Sequence, residues 1–187
     1  MDCPRTTSPG SSDSCRKPHG SARSDWTSPA RESQTRKQQL RVFDAILAEP
    51  QLRTRPVTVH SRGAERETIT RLAQAQVTAT LHWYTGPLAA ADDALVAGLR
   101  FSINPAMTRS PKAVALLRQL PAERVLLETD GPFARWGNRP ASPTDLPETL
   151  QHLARLWSTS VDQARTTVAA NQQRLLAAAA GRTDQTY

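Results

Sequence analysis

Three side chains that can bind a metal ion each stand at the end of a short apolar or β-branched run. His60 is the last residue of the run 56–60 and His82 the last residue of the run 77–82, and Asp130 ends the tripeptide Glu128-Thr129-Asp130 that closes the run 124–127. Such runs are typical of short strands, and barrel enzymes carry their catalytic residues at the C-terminal ends of parallel strands. Imidazole and carboxylate groups are common metal ligands. The pattern therefore predicts a metal site at one rim of a sheet.

Amphipathic helical stretches separate these strands. A further apolar run, Leu99–Ile103, ends at Asn104 and gives a fourth strand in the series. Alternation of strand and helix with about one βα unit per step predicts a parallel sheet with right-handed crossovers. Beyond the last strand the sequence predicts a Gly- and Pro-containing loop and then helices over 145–157, 160–170 and 171–180.

The first part of the chain differs in composition from the rest. Residues 1–35 are rich in Ser, Pro and Arg and lack periodic apolar positions, so we expect a disordered tail there and a folded domain over 36–182. A basic arm that contacts nucleic acid and a segment that is not native coding sequence are the alternatives for this tail. Both cysteines, Cys3 and Cys15, fall in it, which argues against a disulfide framework.

Composition limits the class of protein only broadly. The chain has 187 residues, 38% of them hydrophobic, and a formal net charge of +7 carried mostly by scattered arginines. This charge is compatible with a polyanionic partner. No apolar stretch approaches the roughly 18 residues that span a bilayer, so we expect no membrane contact and a cytoplasmic location.

The strand-end motifs together resemble the TatD family of metal-dependent deoxyribonucleases, a branch of the amidohydrolase-like (β/α)8 barrels. The similarity covers about Lys37 to Ala180. The motifs are Val59-His60-Ser61-Arg62, Leu81-His82-Trp83-Tyr84-Thr85-Gly86, Phe101-Ser102-Ile103-Asn104, the stretch 121–133 with Glu128-Thr129-Asp130-Gly131-Pro132-Phe133, and Ala170-Asn171-Gln172-Gln173-Arg174-Leu175-Leu176. Trp83 and the continuation after Asp130 look more like the TatD-type nuclease of Qat anti-phage defence systems, which implies a defence role.

The resemblance implies a fold and a function. The fold would be α/β, a partial TIM-type (β/α)8 barrel with about the last four βα units plus C-terminal helices. The function would be hydrolysis of DNA phosphodiester bonds with a divalent metal ion, Mg²⁺, Mn²⁺ or Zn²⁺. His60 and His82 would share one ion, and Asp130 would bind a second and act on the attacking water.

Three more residues are candidates for contact with the substrate. Arg62 and Arg139 could bind phosphate, because guanidinium groups suit bidentate recognition of that group. Arg62 could equally pair with Glu128. Trp83 could stack on a base or sugar, although core packing is the more usual role of a tryptophan.

Two elements of the resembled family have no counterpart in the sequence. The family's first strand carries a His-x-His pair and its fourth strand a bridging Glu, and no two histidines here stand two residues apart. We therefore expect an incomplete metal site and a truncated or misannotated reading frame. The half-barrel would dimerise, dock on a partner chain that covers its open edges, or persist as an unstable fragment. The competing functions are a non-catalytic remnant or accessory half-barrel that binds a partner, and an amidohydrolase or deacylase.

Overall fold

The structure is a computed structural model that describes residues 29–181, so most of the predicted tail lies outside the described residues. Contacts divide the chain into a unit up to Gln39 and a unit from Leu40 onward. Helix α1 spans Pro29–Leu47 and begins seven residues before the predicted boundary at Arg36. Proline is favoured in the first turn of a helix, and Ala, Arg, Glu and Gln after it are good helix formers. The Ser- and Pro-rich composition before Arg36 obscured this helical stretch.

Four parallel strands in sequential order form the sheet, as the sequence predicts. They are β1 (Val57–His60), β2 (Ala79–His82), β3 (Arg100–Ile103) and β4 (Val125–Leu127). Helices α2 (Glu65–Ala75), α3 (Leu88–Val96) and α4 (Pro111–Gln119) connect successive strands. The α/β architecture of four βα units is therefore confirmed, and each strand pair is in register, with His60 directly opposite His82.

The two faces of the sheet differ in chemistry. On the face toward the helices, Val59, Leu81 and Phe101 contribute to the apolar core, and the last two are fully buried. Side chains alternate between faces along a strand, so Thr80 and His82 lie on the opposite face of β2. That face is predominantly polar. It also carries Thr58, His60, Arg100 and Ser102.

The C-terminal part is helical apart from one short hairpin that the sequence did not predict. Strands β5 (Arg135–Trp136) and β6 (Arg139–Pro140) form the hairpin, and helices α5 (Leu146–Leu156) and α6 (Val161–Ala180) follow. Four short 3-10 helices complete the described elements, at Pro50–Arg53, Pro105–Arg109, Ala122–Arg124 and Pro143–Asp145. Over the described part of the chain, no helix combines the length and the apolar character needed to cross a bilayer.

Helix α6 is continuous, so the predicted separation into helices over 160–170 and 171–180 is wrong. Asn171 lies in its middle with no exposed surface. Its Nδ2 donates hydrogen bonds of 2.8 Å to the carbonyls of Ala122 and Val125, and its Oδ1 accepts one of 3.0 Å from Arg174. The polar side chain therefore does not end the helix. It fixes α6 to the start of β4, the strand that leads to Glu128 and Asp130.

Replacing Asn171 by alanine should lower the free energy of unfolding by about 2 kcal/mol, because two carbonyls lose a buried hydrogen-bond donor. Urea denaturation followed by circular dichroism measures this change. Gln172→Ala, at the exposed neighbouring position, serves as the control and should change stability by no more than about 0.5 kcal/mol. Equal losses in the two variants would show that Asn171 does not fix β4.

Candidate functional site

The predicted histidines meet at the C-terminal rim of the sheet. His60 and His82 end neighbouring strands at the same level, with ring centroids 5.6 Å apart and planes inclined by 58°. His60 is exposed, whereas the side chain of His82 retains 20% of its accessible surface. Parallel pairing in register therefore brings together two imidazoles that are 22 residues apart in sequence.

Glu128 is the acceptor that organises this rim. Its Oε2 accepts short hydrogen bonds from His82 Nδ1 and Ser102 Oγ, and its Oε1 accepts one of 3.1 Å from the backbone N–H of Trp83. An ionised carboxylate only accepts, so Nδ1 is the donor in the pair with His82. A carboxylate bound to one ring nitrogen commonly orients a histidine whose other nitrogen binds a metal. Sequence reasoning missed this role because Glu128 gains its partners only through strand pairing.

Asp130 faces the other nitrogen of the same imidazole. The distance from His82 Nε2 to Asp130 Oδ1 is 3.1 Å, and the Asp130 side chain retains 16% of its accessible surface. Asp130 and Trp83 both have positive φ, 50° and 41°. Positive φ is uncommon for residues other than glycine, and for tryptophan it is an outlier. Such strained backbone persists where neighbouring interactions impose it, often at functional sites.

The donor set fits a metal ion only in part. His82 Nε2 and Asp130 Oδ1 are close enough for both to bind one ion at about 2.0–2.2 Å. Among the residues that the structure describes, however, no group of three or more His, Cys, Asp or Glu side chains is placed to hold a metal. His60 shares the rim without completing such a group. Metal binding by His60, His82 and Asp130 therefore stays a prediction. The described residues supply two adjacent metal-binding atoms, His82 Nε2 and Asp130 Oδ1.

A groove of about 600 Å³ opens beside His60. Its lining combines two cations, one acid and one aromatic ring: His60, Arg62, Gly63, Glu65, Trp83, Thr85 and Lys112. Arg62 is exposed, and among the described residues it forms no ion pair with Glu128, whose oxygens are occupied by His82, Ser102 and Trp83. Arg62 and Trp83 thus lie where a substrate at the rim could reach them. Their substrate contacts stay predictions.

Lys112 is a groove residue that the sequence analysis missed. It stands in the first turn of α4, and its Nζ donates a hydrogen bond of 2.6 Å to the carbonyl of Thr85. The position of Lys112 in the sequence, shortly after a predicted strand, could have indicated this role. Segments that follow the C-terminal end of a barrel strand reach the catalytic face. Lys112 is the second residue of α4, the helix after β3, and its side chain reaches that face.

Arg139, a predicted phosphate contact, is paired with an acidic side chain. Its guanidinium forms a bidentate pair with Asp145, in which Nη1 lies 2.9 Å from Oδ2 and Nη2 contacts Oδ1. The hydrogen bonds from Arg139 lower the pKa of the buried Asp145 carboxyl to about 2. Arg139 is absent from the groove lining. The structure gives it a role in holding the loop after β4, and phosphate binding by Arg139 stays a prediction.

Comparison with known proteins identifies related sequences over most of the chain. A family model described as TatD related DNase matches residues 27–177. The chain is 30% identical over 145 residues to a putative deoxyribonuclease tatdn3 of Danio rerio, covering 76% of this chain and 54% of that protein. It is 33% identical over 134 residues to a 3'-5' ssDNA/RNA exonuclease TatD of Pectobacterium carotovorum, covering 67% and 52%. The chain thus spans about half the length of the curated relatives it matches.

Solved structures show the same fold. The TatD homologue YJJV from Escherichia coli superposes with a TM-score of 0.64 at 20% identity, over 81% of this chain and 60% of that one. A TatD family hydrolase from Entamoeba histolytica gives a TM-score of 0.62 at 13% identity, over 76% and 56%. The four βα units of this chain therefore match part of the TIM-type barrel of these structures.

Glu128→Ala should lower the free energy of unfolding by about 3 kcal/mol, because an imidazole, a hydroxyl and a backbone N–H all lose their acceptor. Chemical denaturation measures the loss. The control is Glu123→Ala, an exposed glutamate five residues earlier, which should cost about 0.5 kcal/mol or less. A Glu128→Ala variant as stable as this control would contradict the hydrogen-bond network.

Asp145→Asn should lower the melting temperature by a few degrees at neutral pH. The folded-state pKa of Asp145 is about 2, below its ordinary value of 3.8, so its contribution is complete above that value and is lost as pH falls toward 2. The difference between wild type and variant should therefore be constant above about pH 5 and shrink below pH 4. Thermal melts between pH 2 and 7 test this. Asp162→Asn, at an exposed carboxylate, is the control and should have little effect throughout.

Proposed function

The chain belongs to the family of TatD-related DNases, and from that premise we propose that it is a metal-dependent hydrolase of DNA phosphodiester bonds. One observation carries the proposal. Glu128, His82 and Asp130 form a continuous series of contacts at the C-terminal rim of the sheet, where barrel enzymes place their chemistry. Because the chain spans about half of its curated relatives, its activity, substrate and partners are all part of the proposal.

His82, Asp130 and His60 are the residues that would hold a divalent ion. Two imidazoles beside one carboxylate favour a transition ion such as Mn²⁺ or Zn²⁺ over Mg²⁺, which prefers oxygen ligands. The ion would supply Lewis-acid polarisation of the phosphodiester and stabilise the charge that develops on its oxygens. Glu128 acts as a positioning residue, since it fixes the ring of His82 through Nδ1 and leaves Nε2 directed toward Asp130.

Asp130 is the proposed proton acceptor. Its carboxylate stands at the rim with little exposed surface, on a backbone held at positive φ. An acceptor positioned in this way can take the proton of the attacking water and pass it on when the phosphodiester bond breaks. The same group also approaches His82, so loss of its charge would affect both proton transfer and ion binding.

A second candidate function is a non-catalytic half-barrel that binds DNA or a partner chain. The observation in its favour is that the described residues contain no three-ligand group, so they hold an ion less tightly than a complete site would. Proteins named as nucleases among the relatives favour phosphodiester hydrolysis over deacylation. The proposed defence role stays a prediction.

The purified chain should cleave a labelled single-stranded oligonucleotide weakly in Mn²⁺, and cleavage should stop in EDTA. His82→Ala and Asp130→Asn should each reduce the rate by at least about 100-fold, because each removes a group that acts on the ion or the proton. His152→Ala is the matched control, since that histidine lies on α5 and, among the described residues, its side chain is hydrogen-bonded to the carbonyl of Glu148. Gel-resolved time courses give the rates. Cleavage that persists in EDTA or in both site variants, or no cleavage at all, would overturn the proposal.

A further inference from the structure

The groove beside His60 contains a cationic side chain, Lys112, that is not among the predicted substrate residues. Two cationic side chains, Arg62 and Lys112, line it together with one acid, Glu65. The Glu65 carboxylate accepts a hydrogen bond of 3.1 Å from the backbone N–H of Gly63. The volume of the groove, about 600 Å³, lies within the range of roughly 300–1,000 Å³ that is usual for small-ligand pockets.

Lys112 is held in place at the edge of this groove. The hydrogen bond of 2.6 Å to the Thr85 carbonyl fixes the ammonium group across the loop that follows β2. An ammonium carries three N–H donors, so two remain for another acceptor. A lysine in this position is a compact point charge suited to a phosphate oxygen.

Trp83 provides a flat apolar surface in the same groove. Trp83 is partly buried against the hydrophobic core, and it also lines the groove together with His60 and Thr85. The backbone hydrogen bond to Glu128 and the positive φ hold it in that orientation. Bases stack on such rings with little sequence preference, because every base has a π-face. A base in the interior of a duplex is covered on both faces by its neighbours, so it must be unstacked before it can contact the ring.

We propose that Lys112 and Trp83 form a nucleotide subsite, in which Lys112 binds a phosphate and Trp83 stacks the base of an unpaired strand. Arg62 contributes a second phosphate contact on the side of the groove next to β1. This subsite rests on the proposed function, because it delivers the neighbouring phosphodiester to the rim where His60 and His82 stand. It recognises the sugar-phosphate backbone and an exposed base without reading sequence.

Binding without cleavage isolates the contribution of Lys112. Fluorescence anisotropy of a labelled oligothymidylate in EDTA gives the association constant at several salt concentrations. The slope of log K against log salt changes by about 0.7 for each phosphate contact to a single strand. Lys112→Gln should therefore weaken binding severalfold at low salt and reduce the slope by about 0.7, while Lys112→Arg restores both. The matched control is Arg118→Gln, an exposed cation in the last turn of the same helix and outside the groove, which should change neither.

The stacking role of Trp83 is tested by comparing two ligands, a strand with bases and a strand without them. Wild type should bind oligothymidylate about tenfold more tightly than an abasic strand of equal length, and Trp83→Leu should abolish that preference. Thermal melts of all variants verify folding. If Lys112→Gln has a much lower melting temperature than wild type, the slope of log K against log salt is instead compared between wild type and Lys112→Met at a lower temperature.

The outcomes separate this inference from the proposed function. Equal slopes for wild type and Lys112→Gln, or equal slope losses for Lys112→Gln and Arg118→Gln, would overturn the subsite even if Mn²⁺-dependent cleavage is observed. A slope that depends on Lys112, together with a base preference that depends on Trp83, would establish the subsite even if no cleavage is detected. In that case only the catalytic proposal fails.

Discussion

A single carboxylate, that of Glu128, sets the geometry of the rim. It accepts hydrogen bonds from side chains on β2 and β3 and from the backbone of the loop after β2. Each of those donors would be left without a partner in a partly buried place if the carboxylate were absent, which is more costly than the gain from any one bond. The orientation of His82, the strained backbone of Trp83 and the shape of the groove all depend on this one acceptor.

The position of Glu128 depends in turn on how β4 is fixed. Parallel pairing with β3 sets its register, and the backbone N–H of Glu128 itself donates a hydrogen bond of 3.0 Å to Ile103 O. Asn171 on α6 fixes the other end of β4, the end where the strand begins, through its hydrogen bonds to the carbonyls of Ala122 and Val125. On the polar face of the sheet, hydrogen bonding is incomplete among the described residues. Thr80 Oγ1 and Arg100 Nε are buried there without a hydrogen-bond partner in the described part of the chain.

Periodicity and spacing in the sequence were enough to predict the sheet. Strands that end at His60 and His82 follow from short β-branched runs, and their parallel pairing follows from the intervening helices. Glu128 could not be assigned in the same way, because its partners lie 26 and 46 residues away and meet only through register. The pairing of Arg139 with Asp145 could not be read from the sequence either, because nothing in the local pattern shows that the two side chains meet. The continuity of α6 was missed because asparagine usually disfavours a helix interior, and its compensating bonds are tertiary.

The central claim is that Glu128 fixes His82 through Nδ1 and leaves Nε2 to act beside Asp130. Long-range ¹H–¹⁵N correlation spectra of the imidazoles, recorded while Zn²⁺ is added, test it directly. The account predicts that Nδ1 of His82 stays protonated while its Nε2 resonance shifts, and that His152 on α5 does not respond. A proton on Nε2 of His82 with Nδ1 unprotonated, or identical responses from His82 and His152, would contradict the account.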